Sequence, residues 1–312
     1  MKVISLFSGA GGLDFGLFLA GNKIIWANDI DKDAVLTYRR NIGEHIVQGD
    51  IAELDLESIP YADVVVGGFP CQGFSQANLK RSINDDRNGL YRYFCRVVEL
   101  KRPKFFIAEN VKGILSLGGG SVIEQIVSDF RKLGYITTVT AVNMADYGVP
   151  QTRQRVIVIG QDMEVDSYMR FHFPKRTHSR DGIRLPKWVS IEEAIGHFPN
   201  PDLPNDILNH NYSAYKVEYR NFTGHRETDA YKPSPTILAR GNGKGGVCAI
   251  PHYNGLRRLT IRESASIQTF PENYFFIGSM NSCYRQVGNA VPVRFAILLG
   301  EELRRLEFEE TI

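Results

Sequence analysis

Cys71 and Glu109 have the type and setting for covalent chemistry. Cys71 stands in Gly67-Gly68-Phe69-Pro70-Cys71-Gln72-Gly73-Phe74-Ser75, directly after the apolar run Asp63-Val64-Val65-Val66. Glu109 opens Glu109-Asn110-Val111, directly after Phe105-Phe106-Ile107-Ala108. Each apolar run reads as a buried strand, and in open α/β sheets ligands bind in the crevice beyond the strands' carboxyl ends. A thiol attacks as its thiolate, which a nearby cation or helix N-terminus favours. A carboxyl whose pKa is raised by burial can donate a proton near neutral pH. Together they suit nucleophilic catalysis assisted by an acid. Further on, Gln151-Thr152-Arg153-Gln154-Arg155 enters another apolar run, and extended backbone puts its two arginines on one face. The bland alternative for Cys71 is a buried structural cysteine, against which the strand end and the flanking Pro70 and Gln72 argue.

A second constellation suits a nucleoside cofactor. The turn Phe7-Ser8-Gly9-Ala10-Gly11-Gly12 lets backbone approach a ligand and aims the helix beginning at Leu13 toward it. Asp29 ends the next apolar run, where a carboxylate takes both ribose hydroxyls. Asp50 ends a third and suits an adenine amino group, with Ile51 expected to pack on the ring. An NAD-dependent dehydrogenase would look alike here, since glycine turns are common. It would leave Cys71 unexplained, and there is no second nucleotide-binding half. S-Adenosylmethionine, with one nucleoside and a methionine tail, fits better. Phe7 either faces its sulfonium cation or simply packs in the core.

These groups need a regular frame. Strands are expected over 2–7, 24–28, 45–47, 63–66, 105–108, 137–142 and 155–160, with helices over 13–19, 33–41, 90–100 and 122–133. The alternation argues an α/β, doubly wound, mostly parallel sheet with right-handed crossovers. Beyond Arg170, prolines and Gly241-Asn242-Gly243-Lys244-Gly245-Gly246 interrupt the pattern. Residues 171–280 therefore read as a smaller, loop-rich second domain, and residues 1–170 with 281–312 as the first. Helical pattern returns over 261–268 and 292–307.

With 312 residues, 43% of them apolar, the chain can bury a sizeable core. Cys71, Cys95, Cys248 and Cys283 lie far apart without CxxC spacing, against a disulfide framework or a zinc site and in keeping with a reducing cytoplasm. The opening residues imitate a signal peptide, but Ser8 to Gly12 and Asp14 interrupt its apolar centre. No run approaches a membrane span. The net charge of +2 conceals an asymmetry: residues 170–262 hold 15 Lys/Arg against 8 Asp/Glu, and the remainder 22 against 27. A polyanion partner on one side is the functional reading of that stretch, and a solvated basic face the commoner one.

The motifs in this order resemble the DNA (cytosine-5) methyltransferase family, in the compact bacterial form of restriction–modification systems, over nearly the whole chain. Residues 7–12 resemble its cofactor loop, Asn28-Asp29-Ile30-Asp31 and Gly49-Asp50-Ile51 its ribose and adenine contacts, and Phe69-Pro70-Cys71-Gln72 its nucleophile loop. Glu109-Asn110-Val111 resembles its acid, and Gln151 to Arg155 its paired arginines. Arg258-Leu259-Thr260, Arg262-Glu263 and Gln268-Thr269-Phe270-Pro271 resemble the segment after its recognition region, and Gln286 to Pro292 its last motif. Some members have Trp where Ile30 stands, so an aliphatic face is expected under the adenine.

The resemblance implies a thiolate adding to carbon 6 of cytosine, so that carbon 5 attacks the methyl of S-adenosylmethionine and leaves S-adenosylhomocysteine, with no metal. Glu109 would hold N3, Arg155 the pyrimidine O2, and Arg153 the thiol loop or a phosphate. Pro70 and Asn289-Ala290-Val291 would join the cofactor site, and the final helix would rejoin the first domain. The base must leave the helical stack, so the polar loop with Gln72, Ser75, Gln76, Lys80 and Arg81 is a candidate lid over double-stranded DNA. Arg220, Arg226, Arg240, Lys244, Arg258 and Thr236 of Pro235-Thr236-Ile237 are candidate DNA contacts, most of them to phosphates. A cytoplasmic monomer, with a restriction endonuclease of the same site as its counterpart, is the implied setting. The alternatives are the same chemistry on tRNA and a catalytically silent binding protein on this fold.

Overall fold

Strand runs that are apolar at every position, rather than at alternate ones, must be covered on both faces, and this dictates the layers of the protein. The computed structural model describes residues 1–69, 89–165, 169–213, 228–239, 250–255 and 257–310. In chain order it forms β1 (Lys2–Leu6), α1 (Gly12–Leu19), β2 (Lys23–Asp29), α2 (Lys32–Asn41), β3 (Ile46–Gln48), β4 (Val64–Gly67), α3 (Leu90–Lys101), β5 (Phe105–Val111), α4 (Ser121–Lys132), β6 (Tyr135–Asn143), β7 (Gln151–Thr152) and β8 (Gln154–Asp162). Then follow α5 (Ile191–Ile195), β9 (Ser234–Pro235), α6 (Ile261–Ile267), α7 (Met280–Asn289) and α8 (Val293–Glu310).

Seven strands make one sheet in the order β3-β2-β1-β4-β5-β8-β6. Pairing is parallel from β3 through β5, and β8 runs antiparallel to both β5 and β6. The link from Asn143 to Gln154 explains the reversal. It holds only a short 3-10 turn and β7, whereas a parallel return needs about a dozen residues or more of crossover. Pleating then sorts the strand residues. Val3, Val64, Val66, Phe105 and Ile107 enter one core with Leu17, Val35, Tyr38, Phe295 and Leu299. Ile4, Leu6, Val65, Phe106 and Ala108 enter the opposite core with Phe94, Val98, Ile126 and Phe130.

A third core joins Ile191, Ile237, Leu259, Phe270, Tyr274 and Val287 to Ala10 of the glycine turn and to Val293. It runs across residue 280, where the sequence reading divides the domains. Two helices, α5 and α7, are additional to the expected ones. Capping secures both: Ser190 and Glu193 form a reciprocal capping box, and Ser279 accepts from the Ser282 N–H. β7 and β9 pair in parallel as a separate two-stranded ribbon, Gln151 opposite Ser234.

Candidate active site

Strand register brings the expected site to one sheet edge. Leu6 pairs with Asn28 and Gly67, and Gly67 with Ala108. The next residues on these four strands are Phe7, Asp29, Gly68 and Glu109, and all emerge together. β8, being antiparallel, delivers its beginning to that same edge. Arg155 sits opposite Val111 and Ile157 opposite Glu109, so Arg155 and Glu109 are diagonal neighbours.

At the Glu109 end, the Arg155 Nε lies 2.7 Å from Glu109 Oε1, both side chains being largely buried. The carboxyl, expected to be buried, is thus also held by a guanidinium. Asn110 Nδ2 donates to the Phe69 carbonyl at 2.9 Å, tying the end of β5 to the chain that leads into the cysteine loop. A Cβ on Gly68 would stand 3.3 Å from Glu109 Oε2, so a glycine there keeps the carboxyl close to backbone.

Arg153 does not share the surface of Arg155. It is 1% exposed and donates to the carbonyls of Ile237 (3.0 Å), Gly288 (3.0 Å) and Ala290 (3.1 Å). The expected reach to the thiol loop or a phosphate is thus replaced by three backbone contacts. The physical reason is the break between β7 and β8 at this residue, which cancels the period-two alternation that predicted a common face.

The glycine turn expected to meet a cofactor is braced from below. Phe7 takes a φ of 57°, left-handed for a residue with a side chain, a conformation costing about 1–3 kcal/mol that its surroundings must hold. They do so through Ser8 N–H to the Asn28 carbonyl and Gly11 N–H to the Ser8 carbonyl, each at 2.9 Å. The Phe7 ring packs partly buried on the second core. Gly9 and Gly11 are also left-handed, and Gly11 caps α1. Asp29 accepts from the Gly9 N–H at 2.7 Å and the Asp31 N–H at 2.8 Å, one on each oxygen. Burial pushes its carboxyl above the usual range. The Ser8 hydroxyl turns inward, donating to Ser5. Leu13 is core.

These residues fit a nucleoside cofactor. Among the described residues a Cβ on Gly9 would meet nothing within 4 Å, so they leave space over the turn, and each Asp29 oxygen retains a lone pair. Ile30 is 64% exposed beside Asp29, an aliphatic face on offer. Ile51, expected to pack on an adenine ring, is instead 2% exposed and belongs to the second core. Its side chain is covered by packing rather than open to a ligand. Asp50 accepts from the Ala52 N–H at 3.0 Å. Asn289 is exposed while Ala290 and Val291 are buried; a Cβ on Gly12 would lie 2.4 Å from the Val291 carbonyl, so the last motif abuts the glycine turn.

Sequence reasoning missed Asp14. It is wholly buried beneath the turn, accepts from the Ser5 hydroxyl at 2.7 Å, and burial pushes its carboxyl up to about 6. An acidic residue in the first turn after the glycines was the available signal, but it reads equally as a helix-dipole partner. Tyr274, also missed, donates to the Ala10 carbonyl at 2.5 Å from far along the chain.

Of the candidate DNA contacts, Thr236 donates to the Thr152 carbonyl at 3.0 Å. Arg258 is 3% exposed and lines a small cavity with Ile237, Leu259 and Tyr284, a position inside the third core rather than on a DNA-facing surface. Pro70, Cys71, Gln72, Ser75, Gln76, Lys80, Arg81, Arg220, Arg226, Arg240 and Lys244 lie outside the described residues. Among the described residues, no helix is long and apolar enough to cross a membrane.

Residues 1–305 match a family described as C-5 cytosine-specific DNA methylase. The Type II methyltransferase M.NgoFVII of Neisseria gonorrhoeae is 36% identical across 97% of this chain and 86% of its own length. M.FnuDI of Fusobacterium nucleatum, also a Type II methyltransferase, is 35% identical across 97% and 94%. The fold is shared with a DNA modification methyltransferase encoded in an E. coli prophage (TM-score 0.74, 23% identity, 99% of both chains) and with Dnmt2 of S. pombe (TM-score 0.73, 20% identity, 99% and 100%).

Proposed function

The chain belongs to the C-5 cytosine-specific DNA methylase family, and from that we propose that it methylates carbon 5 of a cytosine turned out of duplex DNA, through a covalent bond between Cys71 and carbon 6. The observation that carries this reading is the Glu109–Arg155 pair, at the edge where the chain enters the Cys71 loop and beside the braced glycine turn. In the proposed sequence the Cys71 thiolate adds to carbon 6, which makes the ring an enamine nucleophilic at carbon 5. Glu109 holds N3, and Arg155, joined to Glu109 through Nε and to the Gln154 carbonyl through Nη1, offers its remaining N–H donors to O2. Once carbon 5 carries the methyl group, its proton passes to a base such as water, the C5–C6 double bond re-forms, and the sulfur leaves carbon 6 as the Cys71 thiolate. S-Adenosylmethionine supplies that methyl group as an electrophile. The residues that would hold it are Phe7 to Leu13, Asp29, Ile30, Asp50, Pro70 and Asn289 to Val291.

Residues 171–280 are proposed to read the DNA, through Arg220, Arg226, Thr236, Arg240 and Lys244, while Gln72, Ser75, Gln76 and Arg81 close over it. Residues 1–170 with 281–312 would carry the chemistry. The relatives' Type II designation supports a restriction–modification role; a cytoplasmic monomer with an endonuclease counterpart is the setting proposed with it. Labelled S-adenosylmethionine offered with duplex DNA and tRNA in competition tests the reaction. The expected product is 5-methylcytosine in the duplex. Label in N4-methylcytosine, in N6-methyladenine, or chiefly in tRNA would overturn the reading. A covalent adduct with 5-fluorocytosine DNA is expected from the native protein and not from Cys71→Ala.

A further inference from the structure

We infer that Arg153 is a positioning residue, a clamp that fixes both the segment carrying Thr236 and the turn abutting the cofactor loop to the foot of the strand carrying Arg155. The inference rests on the methyl-transfer reading for the identity of the two ligands. Arg153, Gln151 and Gln268 are each at most 1% exposed, and they form a closed hydrogen-bonded ring. Arg153 donates to the Ile237 carbonyl at 3.0 Å, and the Ile237 N–H donates to Gln151 Oε1 at 2.8 Å. Gln151 Nε2 donates to Gln268 Oε1 at 2.8 Å. Gln268 Nε2 reaches the Ala290 carbonyl at 3.1 Å, where Arg153 Nη2 also ends at 3.1 Å.

A buried guanidinium is costly unless its donors are matched; here both Nη groups donate to main-chain carbonyls of two segments far apart in sequence, while Nε has no partner among the described residues. Those segments touch through backbone, since a Cβ on Gly288 would stand 2.5 Å from the Ala239 N. On one side of the ring Thr236 continues to the Thr152 carbonyl. On the other, Val291 meets Gly12 of the cofactor turn. Loosening the ring therefore shifts the DNA-reading segment and the cofactor-closing turn together. Arg155, anchored in the sheet and paired with Glu109, stays in place.

The test compares Arg153→Ala and Arg153→Lys with Arg155→Lys, using S-adenosylhomocysteine and a duplex that the native protein methylates. Arg153→Ala is expected to weaken both affinities by about tenfold, with a single-turnover rate at saturation within about threefold of native. Arg153→Lys is expected to recover part of both affinities together, and Arg155→Lys to lose rate while keeping them. Lost rate with both affinities intact, or loss of one affinity alone, would overturn the inference. Should Arg153→Ala not fold, Gln268→Ala removes another arm of the ring and carries the same expected split. A native protein that methylates no DNA would sink the methyl-transfer reading instead. The clamp would then stand or fall on amide exchange in Arg153→Ala, expected to rise at 234–239 and 287–291 but not along β5; unchanged exchange there would overturn it.

Discussion

Glu109 and Asp14 are both carboxyls near the site, and they have different partners. Glu109 has a guanidinium at 2.7 Å, while Asp14 has hydroxyls and no ion-pair partner among the described residues. Desolvation dominates at Asp14 and raises its carboxyl from 3.8 to about 6, with Ser5, Tyr38 and Ser8 opposing. The folded protein therefore keeps this proton over a window in which the unfolded chain has released it. Stability from this group is fully present below the unfolded value and is lost as pH rises through about 6. Asp14→Asn removes that loss. Its stability relative to native is expected to improve by on the order of 2–3 kcal/mol between about pH 4 and about pH 7. Urea unfolding across that range reads the difference, and parallel pH profiles for the two proteins would reject it.

At the level of elements, the contact between α1 and α8 fixes the glycine turn on the sheet. α8 lies on α1 so closely that a Cβ on Gly16 would be 2.4 Å from the Ala296 Cβ and 2.6 Å from the Val293 carbonyl. Helix propensity favours alanine over glycine by about 1 kcal/mol, but pushing a helix backbone away costs about 1–3 kcal/mol. The steric effect should win. Gly16→Ala is expected to destabilise the protein by up to about 2 kcal/mol in chemical denaturation, and a stabilised variant would mean that α8 yields without cost. β8 shows the same dependence of site on element. Only its antiparallel course brings Arg155, at a strand beginning, to the edge where Glu109 stands at a strand end.

Over the whole molecule, charge is divided along the chain, with an excess of seven positive residues between 170 and 262 and of five negative ones elsewhere. Basic side chains that neutralise phosphates release counterions, so affinity falls linearly with salt on logarithmic axes, by about 0.9 per phosphate contacted. DNA affinity is expected to drop steeply between about 50 and about 200 mM salt, while S-adenosylhomocysteine affinity, proposed to rest on the glycine turn and Asp29, is expected to stay nearly flat. Filter binding and calorimetry over that range check the contrast, and a flat DNA response would remove the basic stretch from the interface.

The sequence by itself determined the alternation of strands and helices, the edge on which Phe7, Asp29 and Glu109 emerge, and the family. Each of these follows from local patterns: buried runs bounded by glycine, proline or an acidic residue. The helix α7 was not legible, because its buried face is built from Ser282, Cys283, Gln286 and Gly288 as much as from apolar residues. The tertiary structure alone decided what each polar side chain faces. Arg153 and Arg155 share type and spacing, yet a break in the strand sends one into a ring of carbonyls and leaves the other beside Glu109. Ile51 is packed into the second core while Ile30 stands exposed, though both are isoleucines beside an aspartate. Such outcomes depend on segments more than a hundred residues away, such as Gln268 and Ala290 meeting Gln151 and Arg153. Residue type fixes which bonds a side chain can make, but only the assembled fold supplies its partners.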